Sequence, residues 1–327
     1  MSAIRNSNVS ARKLRSRAIQ VESQARASGQ PLWLRCRAAL MAAALAAGSG
    51  ACSDGDGSGT PQMIAVLSAF PAEGAAVVAR ATVTGTTTVN GHTFRFGTLG
   101  GVPVIMGLTG IGPVNAMMTT EALIAQVPVT GVVVSAVAGS TVQIGDVLVP
   151  EAWEFADGTS YPCTPQWLAL ARSVAADHVS LEQCTTAVTM PEKGQICFPD
   201  TPAIRVGGVG ETTDPFGGKA MACTPGAGPV FGCDVTEAGA SAEQTSAALA
   251  TAAGDTTPIA SDEETAAIAQ QAAMHGLPFI AFRGVSDGAG DPLGNRGFPL
   301  QFFDYYPISA NNAAAATVAF LERLKND

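Results

Sequence analysis

Met63-Ile64-Ala65-Val66-Leu67 runs without a polar residue into Ser68-Ala69-Phe70-Pro71-Ala72-Glu73. A short apolar run ending in small residues and a proline reads as a strand buried on both faces that empties into a loop. Further along, Asn90-Gly91 interrupts Val89 to Phe94 as a two-residue hairpin signal, and Gly100-Gly101 marks a second turn before Val102 to Leu108. Gly112 followed by Pro113 predicts a helix to Gln126, because proline suits the first helical position and Val114, Met117, Met118 and Ile124 fall near helical spacing. Val129 to Val134 is another buried strand, entering a small-residue turn at Ser135 to Ser140, and Ile144 to Pro150 closes this half.

Residues 151 to about 255 read as the least regular stretch, rich in Cys, Pro, Gly and Thr. Order returns with a helix from Ser261 to Met274 and a strand from Pro278 to Val285 that enters Ser286-Asp287-Gly288. A last helix runs from Ala310 to Leu324. Buried strands alternating with helices, plus an early pair of hairpins, predict an α/β fold: a three-layer sandwich with a mixed central sheet flanked by helices.

Composition removes several classes. The 327 residues are 47% apolar and 14% charged, which excludes disorder and a coiled coil. No uncharged apolar run reaches the roughly 18–20 residues of a spanning helix. Eight of the 18 basic residues precede Cys52, where Glu22 is the only acid. From Cys52 onward ten basic residues face 26 acidic ones, a formal balance of −16 that repels phosphate backbones and speaks against nucleic-acid binding.

The first 60 residues read as an address. Arg35-Cys36-Arg37 precedes the ten-residue apolar run Ala38 to Ala47 and the small residues Gly48 to Ala51, the pattern of a secretory signal. Small residues before Cys52 also resemble a bacterial lipobox, although Ser49 stands where an aliphatic residue is usual. Lipidation at Cys52 and a flexible tether to Gly59 are therefore expected, with export to the periplasm. The domain proper spans 61–327, with a Cys-rich insertion at about 155–250. Its five cysteines (Cys163, Cys184, Cys197, Cys223 and Cys233) lack metal-ligand spacing. One or two disulfides stapling the insertion, with at least one thiol left over, is the expected use, and no metal is expected.

The chemical motifs divide sharply. Gly284-Val285-Ser286-Asp287-Gly288 satisfies GxSxG after a strand, but a loop follows it and no histidine comes later in the chain, so a serine hydrolase is excluded. His92 beside a hairpin, His178 in the insertion and His275 at a helix end each have an ordinary structural role. No Walker loop and no GxGxxG follows a strand, so no cofactor is expected. Three acids remain: Glu73 after the first strand, Glu264 opening a helix, and Asp287 at the end of a buried strand. Acids gathered at one sheet mouth suit glycosidic-bond cleavage, which needs a proton for the leaving group and a base for water.

These residues also carry a resemblance. Ile64 to Glu73, then Thr109-Gly110-Ile111-Gly112-Pro113-Val114-Asn115-Ala116, then Ser135 to Gly139 with Gly145-Asp146, and finally Glu264 to Ala269 leading to Phe282-Arg283-Gly284-Val285-Ser286-Asp287, resemble the nucleoside phosphorylase/nucleosidase superfamily. The branch most similar is that of the methylthioadenosine/S-adenosylhomocysteine nucleosidases and their exported or storage relatives. The resemblance implies Glu73 as the base for water and Glu264 as the carboxylate on the ribose hydroxyls. It implies Asp287 as the acid on purine N7, with Gly110, Ile111, Val137 and Gly139 lining the substrate. Phe216, after Gly207 to Gly210, is the candidate for stacking on the base.

Two departures stand out: Asp262-Glu263-Glu264 replaces the usual Glu-Met-Glu, and Val137 replaces a frequent serine. The expected function is an exported purine nucleosidase, an N-ribosyl hydrolase with a 5′-substituted adenosine among its candidate substrates, and a homodimer is expected. The alternatives are a non-catalytic nucleoside-binding or storage protein and a phosphate-dependent phosphorylase. The acid at position 73, where related phosphorylases carry an arginine, opposes the last.

Overall fold

The apolar run Met63 to Leu67 is the body of strand β1 (Met63–Ser68), and its place in the molecule accounts for its composition. β1 lies between two parallel neighbours, β4 (Val102–Leu108) and β5 (Val129–Gln143), so both of its faces are covered. The computed structural model describes residues 62–239 and 259–327. The leader expected at 1–60, Cys52 included, lies outside the described residues.

Helix α1 (Pro71–Val78) follows β1, and the hairpin β2 (Thr82–Val89) and β3 (His92–Leu99) turns through Asn90-Gly91, both with positive φ. A second tight turn at Gly100-Gly101 returns the chain antiparallel as β4. Helix α2 spans Pro113–Gln126, with Gly112 as its N-cap and Pro113 at its first position. Next come β6 (Val147–Val149), β7 (Ala152–Phe155), β8 (Ser160–Pro162) and α3 (Pro165–Ala176). The insertion adds β9 (Cys184–Thr186), β10 (Gln195–Cys197), β11 (Ile204–Val206), β12 (Val209–Thr212) and the one-turn α4 (Gly228–Phe231). Then β13 (Ala260–Asp262), α5 (Thr265–Met274), β14 (Phe279–Ala289) and α6 (Leu300–Lys325) complete the described chain.

Twelve strands form one mixed sheet whose main path runs β2-β3-β4-β1-β5-β13-β12-β7-β8, with β14 joining β5 to β6 and β6 pairing β11. Helices α1 and α3 each pack on α6, α2 packs on α5, and the two groups flank the sheet. The centre is dry: Ala65 to Leu67, Val104 to Met106, Val132 to Val134 and Phe279 to Phe282 are all buried. Each such Val, Leu, Ile or Phe contributes about 1.5–3 kcal/mol relative to an exposed one.

Four elements differ from the sequence reading. Ser135 to Ser140 is not a turn, because β14 pairs with β5 as far as Gln143 and holds the small residues in strand. β14 likewise continues through Asp287 to Ala289 instead of ending at Val285. The helix read from Ser261 begins at Thr265, since residues 260–262 are a strand beside β12. The last helix starts ten residues earlier than expected and carries Pro307 inside, because Phe302, Phe303, Tyr305 and Tyr306 bury an aromatic face there. The insertion is also more regular than its composition implies, with α3 burying Trp167, Leu168, Ala171 and Val174.

Two disulfides staple the insertion, Cys184–Cys197 across the β9–β10 pair and Cys223–Cys233 around α4. Cys163 is buried and unpaired, and burial pushes its thiol up to about 12.

Candidate active site

The site is assembled from element ends. β1 gives way to Ala69-Phe70, and Phe70 is the N-cap of α1, which puts Glu73 at the third helical position. From there the carboxylate reaches back over the unpaired amides of its own helix start. Oε2 accepts from the N–H of Ala69 at 2.7 Å and of Phe70 at 3.3 Å, while Oε1 accepts from the N–H of Val137 in β5 at 2.7 Å. Glu73 is 1% exposed.

Asp262 ends β13 and caps α5. Its Oδ1 accepts from Thr212 Oγ1 at 2.6 Å and from the N–H groups of Glu264 and Thr265 at 3.2 Å. Glu264 is the N-cap residue, one position before the helix instead of within its first turn. Its Oε1 accepts from Gly112 N–H at the start of α2, 2.9 Å away. Gly112 has φ 92°, and the ring of Phe216 lies so close that a Cβ there would meet it at 2.8 Å. One residue therefore joins the Glu264 carboxylate to the aromatic side chain of the insertion.

Arg283 is the buried charge at the centre. Nη2 lies 2.5 Å from Asp262 Oδ2 and 3.4 Å from Glu264 Oε2, and Nη1 lies 4.0 Å from Glu73 Oε1. Nη1 also donates to the carbonyl of Val137 at 2.9 Å, and Nε to Thr265 Oγ1 at 2.9 Å. The guanidinium carbon lies 5.7 Å from the centre of the Trp153 ring, within range of a cation–π contact. Burial opposes its charge, but Asp262, Glu264, Glu73 and Glu263 together hold it protonated above its ordinary value.

Asp287 lies four residues further along β14. The strand shifts register against β5 at Val285/Asp287, which sets Asp287 opposite Gly139. The carboxylate lies over this glycine, where a Cβ would come within 2.7 Å of Oδ2. Ser286 Oγ donates to Asp287 Oδ1 at 2.8 Å, so the serine of the GxSxG pattern is a buried partner of the acid.

One arginine among this many acids leaves surplus negative charge in a desolvated site, and proton affinities rise accordingly. Burial lifts Glu73 from 4.5 to about 8, against the pull of Arg283. Burial lifts Glu264 to about 7, again against Arg283, with Asp262 pushing the same way as burial. Asp287 is raised by burial, and Glu263 by burial and by its neighbours Glu264, Asp262 and Asp287.

Beside the acids lies a pocket of about 230 Å³, counting space open to solvent. Ala69, Phe70, Gly110 and Ile111 form one wall, and Met221, Val230 and Phe231 of the insertion face them. Glu73 and Glu264 thus share Arg283, Val137 serves Glu73 and Arg283 through its backbone, Gly139 makes room for Asp287, and Phe216 abuts Gly112. His275 pairs with exposed Glu121 at 2.7 Å, away from this cluster.

Sequence reading did not assign Arg283, Asp262 or the Met221–Phe231 wall to the site. A lone charge in the apolar strand Phe279 to Val285 was the visible sign of the first. The other two depend on contacts between distant segments.

The family model of the Phosphorylase superfamily matches residues 63–322. The chain belongs to this superfamily. A superfamily member of this kind has relatives at several distances. An uncharacterised Mycobacterium tuberculosis protein is 33% identical over 217 residues, covering 59% of this chain and 86% of the relative. The 5′-methylthioadenosine/S-adenosylhomocysteine nucleosidase of Shewanella sp. (strain W3-18-1) is 27% identical over 269 residues, 80% of this chain and 99% of the relative. Among solved structures, the nucleosidase of the same name from Neisseria meningitidis, in complex with methylthio-immucillin-A, superposes with a TM-score of 0.55. It is 18% identical and covers 80% of this chain and 99% of its own.

Proposed function

We propose that the chain is an exported purine nucleosidase, an N-ribosyl hydrolase that cleaves a purine nucleoside to free base and ribose. The observation that carries the reading is the arrangement around Arg283: carboxyls from α1 and the β13–α5 junction held by backbone amides, with a third acid on the same strand as the arginine. Glu73 takes a proton from water as the oxygen attacks the anomeric carbon. Asp287 gives a proton to purine N7, so that the C–N bonding pair leaves on a neutral base. Glu264 accepts from the ribose hydroxyls and, with the other carboxylates, favours the positive charge that grows on the sugar. A carboxylic acid raised by burial retains the proton it must donate near neutral pH, as Asp287 requires.

Water is the favoured nucleophile over phosphate. Among the described residues, Arg283 is the only cation within ion-pair distance of Glu73, Asp262 or Glu264, and its donors are already engaged. A phosphate there would meet buried carboxylates without a free guanidinium to receive it. The nucleosidase relatives support hydrolysis, and Phe216 and the pocket at Ile111 are the proposed supports for the base and the sugar. Export is supported by the basic-then-apolar leader and by two disulfides, which suit an oxidising compartment. No helix among the described residues is long and apolar enough to cross a membrane.

A panel of purine nucleosides, assayed with and without phosphate and by calorimetry, tests the reading. Binding without base release would instead favour the storage-type alternative, to which the acid at position 263 and Val137 give some support.

A further inference from the structure

The pocket beside the acids has two walls of different origin. One is sheet and helix backbone: Ala69 and Phe70 donate to Glu73, and Gly110-Ile111 leads into Gly112, which donates to Glu264. The other is the insertion, through Met221, Val230 and Phe231. That second wall is fastened at its edges. Asn115 Nδ2 donates to the carbonyl of Met221 at 2.5 Å, Arg95 pairs with Asp234 at 2.7 Å, and Val235 packs on Gly74 of α1. Inside it, the Glu237 carboxylate accepts from the N–H groups of Gly226, Cys233 and Asp234. The Cys223–Cys233 bridge closes the loop that carries Val230 and Phe231, and Cys223 itself lines the pocket. Both cysteines are partly exposed and residues 224–226 beside them are exposed, which leaves the bridge open to a thiol reagent.

We propose that the segment from Met221 to Cys233 is a roof over the substrate site, locked shut by the Cys223–Cys233 disulfide and released by a dithiol reductant. A thiolate of the dithiol attacks one bridge sulfur, and the S–S pair leaves on the other. The second thiolate then resolves the mixed disulfide. Two electrons and two protons pass to Cys223 and Cys233, and the dithiol ends as its own disulfide. The opened loop regains conformational freedom, so the apolar wall loses definition while the acids, held by sheet and helix ends, stay in place. Reduction thus weakens substrate retention more than the chemical step. The kinetic half of this inference rests on the nucleosidase reading; the structural half does not.

The test compares wild-type protein, oxidised and after dithiothreitol, with Cys223→Ser/Cys233→Ser and with Cys184→Ser/Cys197→Ser. The latter bridge ties β9 to β10 and is not part of the pocket lining. Hydrogen exchange of 221–233 should accelerate at least about tenfold when the Cys223–Cys233 bridge is open, while that of Ala69, Phe70 and Gly112, whose N–H groups hold the acids, should stay within about threefold. KM for a purine nucleoside with an apolar 5′-substituent should rise at least about fivefold, with kcat within about threefold. The Cys184→Ser/Cys197→Ser variant should leave these segments and KM unchanged. Unchanged exchange with the bridge open would overturn the roof, as would an equal effect from the other bridge. If no base is released by any form, the nucleosidase reading falls and exchange alone decides the roof. If the Cys223→Ser/Cys233→Ser variant does not fold, dithiothreitol on the oxidised Cys184→Ser/Cys197→Ser variant, which keeps the Cys223–Cys233 bridge and lacks the other, supplies the comparison.

Discussion

The acids around Arg283 and the roof above them are held by opposite means. Glu73, Asp262 and Glu264 each accept a backbone N–H at a helix start, and all three gather on one guanidinium from the central sheet. The roof is fastened by a disulfide, by loop amides on Glu237, and by one ion pair at its rim. Charges are placed where the sheet fixes geometry, and a covalent tie serves where little core is available. The proposed reacting groups gain a position that loop motion does not disturb.

The sharpest way to test that division is at Asp287. Asp287→Asn keeps the shape but transfers no proton, and kcat on a natural purine nucleoside should fall by about 10²–10⁴ with KM largely kept. Retention of more than about a third of wild-type kcat would remove the general-acid assignment. Arg283→Met addresses the anchor of the cluster. It leaves Glu73, Asp262 and Glu264 buried without their cation, and urea unfolding should report a loss of about 3–5 kcal/mol. A loss below about 1 kcal/mol would mean that the backbone amides suffice.

Gly139→Ala puts a Cβ 2.7 Å from Asp287 Oδ2, so the carboxyl must move. Steady-state assays should show kcat reduced by about 10–10²-fold in a protein that melts near the wild-type temperature. The smallest effect is in pH. The native Glu73 holds its proton up to about 8, whereas the unfolded chain releases it near 4.5. The native state therefore binds more protons between these values, and its stability falls as pH rises from 5 to 8. Melting temperatures should decline over that range in wild type and decline less in Glu73→Gln. In turnover the same group must be ionised, so kcat/KM should rise from pH 6 toward 8.

The comparison also explains what the sequence displayed. β1, the Asn90-Gly91 hairpin and the helix Pro113–Gln126 were legible because local chemistry decides them: an apolar run, a positive-φ pair, a glycine cap before proline. The strand character of Ser135 to Gln143 was not, since small residues of turn-like composition are held in strand only by β14 across the sheet. The start of α6 was hidden by Pro299 and Pro307, with burial of Phe302 and Tyr306 overriding the prolines. In the site, Glu73, Glu264 and Asp287 came from the order of four blocks. Arg283 stood out only as a lone charge in an apolar strand, and its pairing with Glu73, from the other end of the domain, shows only once the chain is folded. The insertion was legible as a stapled segment because five cysteines crowd one stretch, but its two pairings and its place across the pocket from Ile111 were not.

The most direct measurement of the central claim is product analysis in phosphate-free buffer. Purified protein incubated with a purine nucleoside should release free base and free ribose in equal amounts, at a rate that added phosphate does not raise. Base that appears only with phosphate, accompanied by ribose 1-phosphate, would contradict the account, as would a nucleoside bound by calorimetry and never cleaved.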